Sequence, residues 1–353
     1  MKGAISMKEN RYLGHPSQLY GVEQYRLLGG KGDGMRLFQA RNCTGMEFTV
    51  SADRCADISR LRCNGINLSY FSPTGYVSPQ YYDDKGRGFL KSFTGGFLTT
   101  CGLNSVGVAN KEGEEEFPMH GTVGNSPAEE IYYKIEDKKI IFKAKINQMQ
   151  FFGHKLILKR KIICPLYENK LRIEDTVCNV GVDNEPVMLL YHMNMGYPLL
   201  SENAEIWISS DKIVGRDDYA QSDVTNYNRI DTPTAGFREK CYYHFFEKSD
   251  LSGNMDDGTQ KIGHAAIFNK DINLGLHISF NTRELGYFTQ WNMFGVQEYV
   301  MGLEPSNCIQ EGREKMRQTG KLVVLGSGEE CNYNVDVEVL HGKKMWEKIK
   351  NNK

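Results

Sequence analysis

The sequence predicts an all-β fold, a β-sandwich of large antiparallel sheets. Three observations favour it: apolar and polar residues alternate with a period of two, turn-forming residues separate the alternating segments, and helical periodicity is scarce. The chain has 353 residues, of which 36 are glycines, and 11% of its residues are aromatic. That combination is typical of many strands joined by tight turns.

Four segments show the alternation most clearly, because apolar residues occupy most of the alternate positions and polar or charged residues occupy most of the positions between them. They lie at residues 140–146, 171–177, 276–280 and 335–339. A period of two places the apolar side chains on one face of a half-buried antiparallel strand. We therefore predict a strand in each of these four segments.

We predict a single domain over residues 1–353, because no linker, composition shift or fixed-period repeat divides the chain. Its core is expected from about residue 36 to residue 340, since the motifs and strand patterns lie within these limits. An N-terminal extension over residues 1–35 precedes this core. A basic C-terminal tail over residues 341–353 follows it.

Three other segments carry expectations of their own. A short helix is predicted within residues 7–28, with Ser17 as a candidate cap. Residues 343–353 are expected to form a basic helical turn or to fray. The polar stretch 249–260, which carries glycines and several aspartates, is expected to be a mobile surface loop.

Charge and cysteine usage narrow the class of protein. The formal net charge is −1, so no overall field favours nucleic acid or a membrane surface as a partner. Nine scattered cysteines without zinc-finger spacing are typical of a reducing compartment. The chain also lacks a signal-peptide pattern and any membrane-spanning run. We therefore expect a cytoplasmic protein, a monomer or homodimer, that acts on a small molecule.

Two titratable residues lie within apolar, strand-like segments. His192 follows the apolar run 187–191, and Glu304 follows residues 299–303, directly before a proline. Burial disfavours the charged form of each side chain unless a partner compensates it. If the fold brings them together, they form an acid/base pair suited to neutral pH. If it does not, each is a structural residue, His192 bonded to backbone and Glu304 paired with an arginine.

Several other residues are candidates for binding a ligand. His120 precedes a glycine, Asn194 is expected to face the same side of its strand as His192, and Trp291 offers an apolar plane. The planar guanidinium of Arg54 could donate hydrogen bonds to a hydroxyl or a carboxylate. Asp57 could accept hydrogen bonds from hydroxyls or form an ion pair with Arg54. Each of these residues also has a structural interpretation, which is core packing or internal pairing.

The order of these motifs resembles the aldose 1-epimerase superfamily, the galactose mutarotase-like proteins. Within it, the chain is similar to a divergent bacterial branch that is known as a domain of unknown function, DUF4432. The resemblance covers most of the chain, from about residue 36 to residue 339. It rests on residues 53–58, 95–103, 120–121, 191–200, 291 and 302–307.

The resemblance implies a supersandwich with a concave sugar-binding face and an enzyme that interconverts the anomers of a free monosaccharide, without metal or cofactor. It implies that Glu304 is the general base at the anomeric hydroxyl and His192 the general acid at the ring oxygen. His120 would hold the ring-oxygen side. This scheme requires a protonated His192 beside an ionised Glu304, and we expect their geometry to leave room for one sugar ring.

The chain departs from the mutarotases at one motif. They carry an Asn-Arg pair shortly before the first histidine, whereas here Asn104, which is a further candidate for binding the substrate, has no adjacent arginine. We hypothesise that Arg54 substitutes for the missing arginine. Two alternative functions stay open: a metal-dependent sugar isomerase or epimerase with His120, His192 and Glu304 as ligands, and a non-catalytic sugar-binding protein.

Overall fold

A computed structural model describes residues 11–246 and 262–351, and strands dominate this part of the chain. In chain order, the strands are β1 (Gly21–Arg26), β2 (Arg36–Arg41), β3 (Met46–Ser51), β4 (Asp57–Cys63), β5 (Ile66–Asn67), β6 (Leu98–Leu103), β7 (Asn110–Glu112), β8 (Glu115–Phe117), β9 (Glu130–Glu136), β10 (Lys139–Met149), β11 (Lys155–Pro165), β12 (Lys170–Asn179), β13 (Glu185–Met195), β14 (Ala204–Ile208), β15 (Lys212–Gly215), β16 (Lys240–Phe245), β17 (Ile262–Asn269), β18 (Leu274–Asn281), β19 (Tyr287–Phe294), β20 (Tyr299–Ser306), β21 (Val323–Leu325) and β22 (Glu330–His341). The α-helices are α1 (Asp218–Ser222), α2 (Arg313–Gln318) and α3 (Lys343–Asn351).

Two large antiparallel sheets form the body of the protein. One has eight strands in the order β14-β17-β18-β22-β12-β11-β10-β9, and the other has the order β15-β16-β19-β20-β13-β21 with β6 also paired to β13. A third sheet runs β1-β2-β3-β4-β5, and β7 and β8 form a hairpin. The predicted sandwich of large antiparallel sheets is confirmed. The four strands predicted from alternation are confirmed as β10, β12, β18 and β22.

The residues of β13 divide between the two faces of their sheet. Tyr191 and Met193 belong to the central apolar cluster, to which all three sheets of five or more strands contribute. Leu190 belongs to a smaller cluster on the opposite face, together with Met316 of α2. Because successive strand side chains point to opposite faces, His192 lies on the same face as Leu190. The fold thus directs His192 away from the central core.

A buried arginine connects the three sheets. The Arg160 guanidinium of β11 donates to Asp57 Oδ1 of β4 at 2.6 Å and to Asp175 Oδ2 of β12 at 2.7 Å. Thr100 of β6 donates to Asp57 through its backbone N–H and its hydroxyl, and the Tyr191 hydroxyl donates to Asp175. These five residues are called the Arg160 network below. Burial raises the pKa of Asp57, and Arg160 opposes that effect.

The predicted helix within residues 7–28 is wrong for the part of that segment which the structure describes. Residues Pro16–Gln18 form one 3₁₀ turn, and its cap is His15, which accepts a hydrogen bond from the Ser17 backbone. Strand β1 follows and pairs with β2. Pairing with β2 gives the backbone N–H and C=O groups of β1 their hydrogen-bond partners, so these groups are satisfied without a helix. Residues 7–10 lie outside the described residues.

The two remaining local expectations have different outcomes. The helical interpretation of the C-terminal tail is confirmed, because α3 packs on the outer face of the eight-stranded sheet through Trp346 and Phe268, whose ring centroids lie 5.8 Å apart. The loop expected over residues 249–260 lies outside the described residues. Within residues 11–246 and 262–351, no helix is long and apolar enough to cross a bilayer. The nine cysteines are free thiols.

Arg160→Met should lower the free energy of unfolding by about 3–5 kcal/mol, because removing one partner leaves two buried carboxylates without compensation. Arg172→Met is the control, since Arg172 pairs with Glu174 and Asp336 on the exposed side of the same sheet. The Arg172→Met substitution should lower the free energy of unfolding by about 1 kcal/mol or less. Denaturant unfolding of both variants measures the difference. Equal losses would contradict the structural role given to Arg160.

Candidate functional site

Strand register places His192 opposite Glu304. Strands β13 and β20 are antiparallel and pair Met193 with Leu303, so the preceding residue of β13 faces the following residue of β20. His192 Nε2 lies 3.3 Å from Glu304 Oε1. The two residues that lie 112 positions apart in the chain are therefore cross-strand neighbours on one face of the sheet.

The Glu304 carboxylate is fully buried and held from one side. Its Oε2 accepts a hydrogen bond from Gln310 Nε2. Its Oε1 has no hydrogen-bond partner among the described residues, because the contact with His192 has ion-pair distance but not hydrogen-bond geometry. The carboxylate lies over Gly302, where a Cβ would be 2.1 Å from Oε1. Glycine at this position therefore leaves the space that the carboxylate occupies.

His120 approaches the pair from a strained turn. Its φ angle is 60°, a left-handed conformation that is less favourable for a residue with a side chain than for glycine. The turn is held because the His120 backbone N–H donates to Gly107 O at 2.8 Å. The centroids of the His120 and His192 rings lie 5.6 Å apart. The Nδ1 atoms of both rings are buried without a hydrogen-bond partner in the described residues.

Aromatic side chains form the walls of a small cleft around these groups. Phe93 and Trp291 each lie 5.3 Å from the His192 ring, and Phe89 lies 5.0 Å from the His120 ring, measured between centroids. The cleft has a volume of about 120 Å³. Apolar walls with a few polar atoms at the bottom are typical of small-molecule sites.

Charged side chains lie toward the mouth of the cleft. Arg216 and Glu239 form an ion pair at 3.0 Å, and Trp291 Nε1 donates to the same carboxylate at 2.8 Å. Arg87 also lines the cleft and is exposed. The site thus has a buried acid/base pair at its bottom and two arginines at its mouth.

Burial sets the charge state of the pair. Desolvation raises the pKa of Glu304 to about 8 and lowers the pKa of His192 to about 3. It also lowers the pKa of His120 to about 4. At neutral pH the pair therefore holds one proton, and burial places it on Glu304. The expected combination of a protonated His192 and an ionised Glu304 is not the one that this environment favours.

The geometry also corrects the expected place of a sugar ring. At 3.3 Å, the imidazole and carboxylate of His192 and Glu304 are too close for a ring to lie between them. A ligand must therefore meet both groups from the same side. Trp291 belongs to this site as well, since its half-buried indole ring forms one wall of the cleft.

Arg54 and Asp57 lie outside the cleft. The Arg54 guanidinium is buried and donates to three backbone carbonyls, those of Gly124, Val77 and Ser92, at 2.8 to 3.0 Å. Asp57 belongs to the Arg160 network. Neither side chain lines the cleft that holds His192 and Glu304, so the substitution of Arg54 for the arginine that the mutarotases carry gains no support from this position.

Asn104 and Asn194 are also not among the side chains that line this cleft. Asn104 Oδ1 accepts a hydrogen bond from Gln148 at 2.9 Å and lines a larger, separate cleft. Asn194 is fully buried, and its Nδ2 donates to the carbonyl of His192 at 2.9 Å. Burial lowers the pKa of His192, and the Asn194 side chain opposes that effect.

Sequence reasoning missed several residues of the site. Gln310 and Glu239 lie in segments without a recognisable motif, and they reach the site through loop packing. Arg87 was missed as well, and the only sequence feature that could have drawn attention to it is its position between Gly86 and Gly88. Within residues 11–246 and 262–351, no three His, Cys, Asp or Glu side chains converge as metal ligands, and the proposed set of His120, His192 and Glu304 is included in that finding.

The fold is similar to that of solved structures described as aldose 1-epimerases or galactose mutarotase-like proteins. A candidate aldose 1-epimerase from Klebsiella pneumoniae has a similar structure, with a TM-score of 0.85 and 23% identity over 94% of this chain and 86% of that one. A galactose mutarotase-like protein from Clostridium acetobutylicum has a TM-score of 0.66 and 15% identity, over 92% of this chain and 99% of that one. Galactose 1-epimerase from Lactobacillus acidophilus has a TM-score of 0.59 and 13% identity, over 92% of this chain and 99% of that one.

Sequence comparison gives the family. Residues 32–339 match the model of a domain of unknown function, DUF4432, and the chain belongs to this family. The resemblance stated from the motifs is thereby confirmed. No curated protein matches the chain. The similarity to the solved structures is below 25% identity, so it establishes the fold.

Gly302→Ala should displace the Glu304 carboxylate, because the new Cβ would lie 2.1 Å from Oε1. The fold should persist at a cost of about 1–3 kcal/mol, typical of local overpacking. Gly21→Ala is the control, since a Cβ there meets nothing closer than 3.9 Å. Crystal structures of both variants measure the His192–Glu304 distance. An unchanged 3.3 Å contact in Gly302→Ala would contradict the role of Gly302.

Proposed function

We propose that the protein is a carbohydrate mutarotase that interconverts the anomers of a free monosaccharide by acid/base ring opening. The observation that carries the proposal is the buried His192–Glu304 pair, 3.3 Å apart at the bottom of an aromatic cleft. Unpaired polar atoms on Glu304, His192 and His120 further support it. Buried polar groups are seldom left unpaired unless a ligand or water meets them.

The anomeric hydroxyl and the ring oxygen of a sugar are bonded to the same carbon, so two adjacent groups can reach both from one side. In the proposed reaction, Glu304 takes the proton of the anomeric hydroxyl while His192 protonates the ring oxygen. The C1–O5 bond breaks and C1 becomes an aldehyde. After rotation about C1–C2, the ring closes on the other face of the carbonyl, and each group reverses its role.

The reaction requires one proton on the pair, which is the number that burial favours at neutral pH. Burial places this proton on Glu304, whereas the forward step starts with it on His192. A sugar hydroxyl that donates to Glu304 Oε1 stabilises the carboxylate and lowers its pKa. Transfer of the proton to His192 Nε2, which lies 3.3 Å from Oε1, requires the two side chains to align first, because their contact lacks hydrogen-bond geometry without a ligand. The substrate itself therefore prepares the reactive charge state.

The remaining cleft residues would hold the ring. Trp291 and Phe93 present apolar planes that suit the C–H faces of a sugar. His120 has an unpaired Nδ1 near the pair and would bind on the ring-oxygen side. The same cleft would serve a sugar-binding protein without catalysis, and the activity of the Glu304 variant separates the two functions.

Glu304→Gln should lower kcat/KM for anomer exchange by roughly 10²–10⁴-fold, because the variant cannot take a proton from the substrate. Polarimetry of freshly dissolved α and β anomers, over a panel of aldoses, measures the rate. Glu205→Gln is the control, since Glu205 binds Trp346 on the far side of the protein. No acceleration of any sugar by the natural protein, or full activity in Glu304→Gln, would refute the proposal. Saturable binding without turnover would indicate a sugar-binding protein.

The pH dependence of kcat/KM should reflect the one-proton state of the pair. Activity should be constant between about pH 5 and pH 7 and fall about tenfold per unit above the Glu304 pKa of about 8, where the proton is lost. The pKa of His192 near 3 puts any acid limb well below pH 5. A pH–rate profile with the most active sugar tests this. Activity that rises with pH through 6.5 would instead indicate an ordinary exposed histidine.

A further inference from the structure

The charges of the cleft do not balance at its mouth. Arg216 is neutralised by Glu239 at 3.0 Å. Arg87 lines the same cleft, is exposed, and has no ion-pair or hydrogen-bond partner for its side chain in residues 11–246 and 262–351. Glu304 does not compensate it, because burial keeps that carboxyl protonated at neutral pH. The cleft therefore carries one uncompensated positive charge.

The unpaired charge belongs to an exposed residue of the cleft, whereas the acid/base pair is buried. Glu304 and His192 are 0% and 5% exposed and form the bottom of the cleft. Phe89, which lines the wall beside His120, lies two residues after Arg87. A sugar whose anomeric carbon meets the pair would therefore direct the carbon most distant from C1 toward the mouth and Arg87.

The mouth offers few groups that suit a neutral hydroxyl. Gln310 is engaged by Glu304, and Glu239 is engaged by both Arg216 and Trp291. The other side chains between the pair and the mouth are mainly apolar or aromatic. A guanidinium group matches the planar, bidentate geometry of a carboxylate or phosphate. Recognition at this end therefore favours an anion.

We propose that the substrate is a monosaccharide with an anionic group, a phosphate ester or a carboxylate, on the carbon most distant from C1, and that Arg87 binds this group. This inference rests on the proposed function for the orientation of the sugar. It extends that function from monosaccharides in general to an anionic class.

Calorimetric binding to the natural protein tests the inference with matched sugars. Glucose and galactose are each compared with their 6-phosphates and with glucuronate and galacturonate. Because an ionic hydrogen-bonded contact is stronger than a neutral one, at least one anionic sugar should have a Kd roughly ten- to a hundredfold below that of its neutral parent. The phosphate and carboxylate series distinguish the two kinds of anion. Equal Kd values within every set, or no binding of any anionic sugar, would overturn the inference.

Variants assign the preference to Arg87. In Arg87→Gln, the Kd of the neutral sugar divided by that of the anionic sugar should fall to about one. In Arg87→Lys, part of the preference for the anionic sugar should remain, because lysine retains the positive charge but lacks the planar guanidinium group. Lys85→Gln is the matched control, since Lys85 is a nearby exposed cation that lines the separate cleft. A preference that survives in Arg87→Gln would overturn the role of Arg87.

Anomer exchange, measured on the same sugars, separates this inference from the proposed function. Tight binding of anionic sugars without exchange would refute the mutarotase activity and leave the anionic preference intact. Exchange of neutral sugars with no preference for anionic ones would support the activity and refute the inference.

Discussion

The need to neutralise a guanidinium group in the core governs how the three sheets meet. Arg160 has 1% of its side chain exposed and requires the carboxylates of Asp57 and Asp175, which come from different sheets. A charge removed from water is tolerated only when it is paired and its hydrogen bonds are satisfied. Thr100 and Tyr191 complete the set, and Tyr191 fixes the face of β13 that turns to the core.

On the other face of β13, burial also removes polar side chains from water, but there some of their hydrogen bonds are left unsatisfied within the described part of the chain. Side chains of the Arg160 network are mutually satisfied, whereas Glu304 and His192 keep polar atoms without hydrogen bonds. Desolvation without compensation moves their pKa values in opposite directions and leaves a single proton between them. Perturbed titratable groups in a cleft are characteristic of functional sites. The core thus holds the His192–Glu304 pair in a state that a residue with satisfied hydrogen bonds would not adopt.

Sequence reasoning succeeded where the pattern is local and failed where packing decides. Alternation located β10, β12, β18 and β22, and a titratable residue within an apolar strand located His192 and Glu304. Their proximity came only through the family resemblance. Arg54 lies outside the cleft and donates to backbone carbonyls, and sequence does not distinguish such a guanidinium from one that binds a ligand. Gln310 was missed because a loop brings it to Glu304. Strand β1 replaced a predicted helix because its pairing with β2 overrides local propensity.

The central claim is that Glu304 keeps its proton at neutral pH beside a neutral imidazole. The most direct test is a pH titration of the glutamate side-chain carboxyls by ¹³C NMR, with the Glu304 resonance assigned from its loss in Glu304→Gln. The account predicts one carboxyl that titrates near pH 8 and is missing in the variant. A Glu304 resonance that titrates near 4.5, the ordinary value for glutamate, would contradict it.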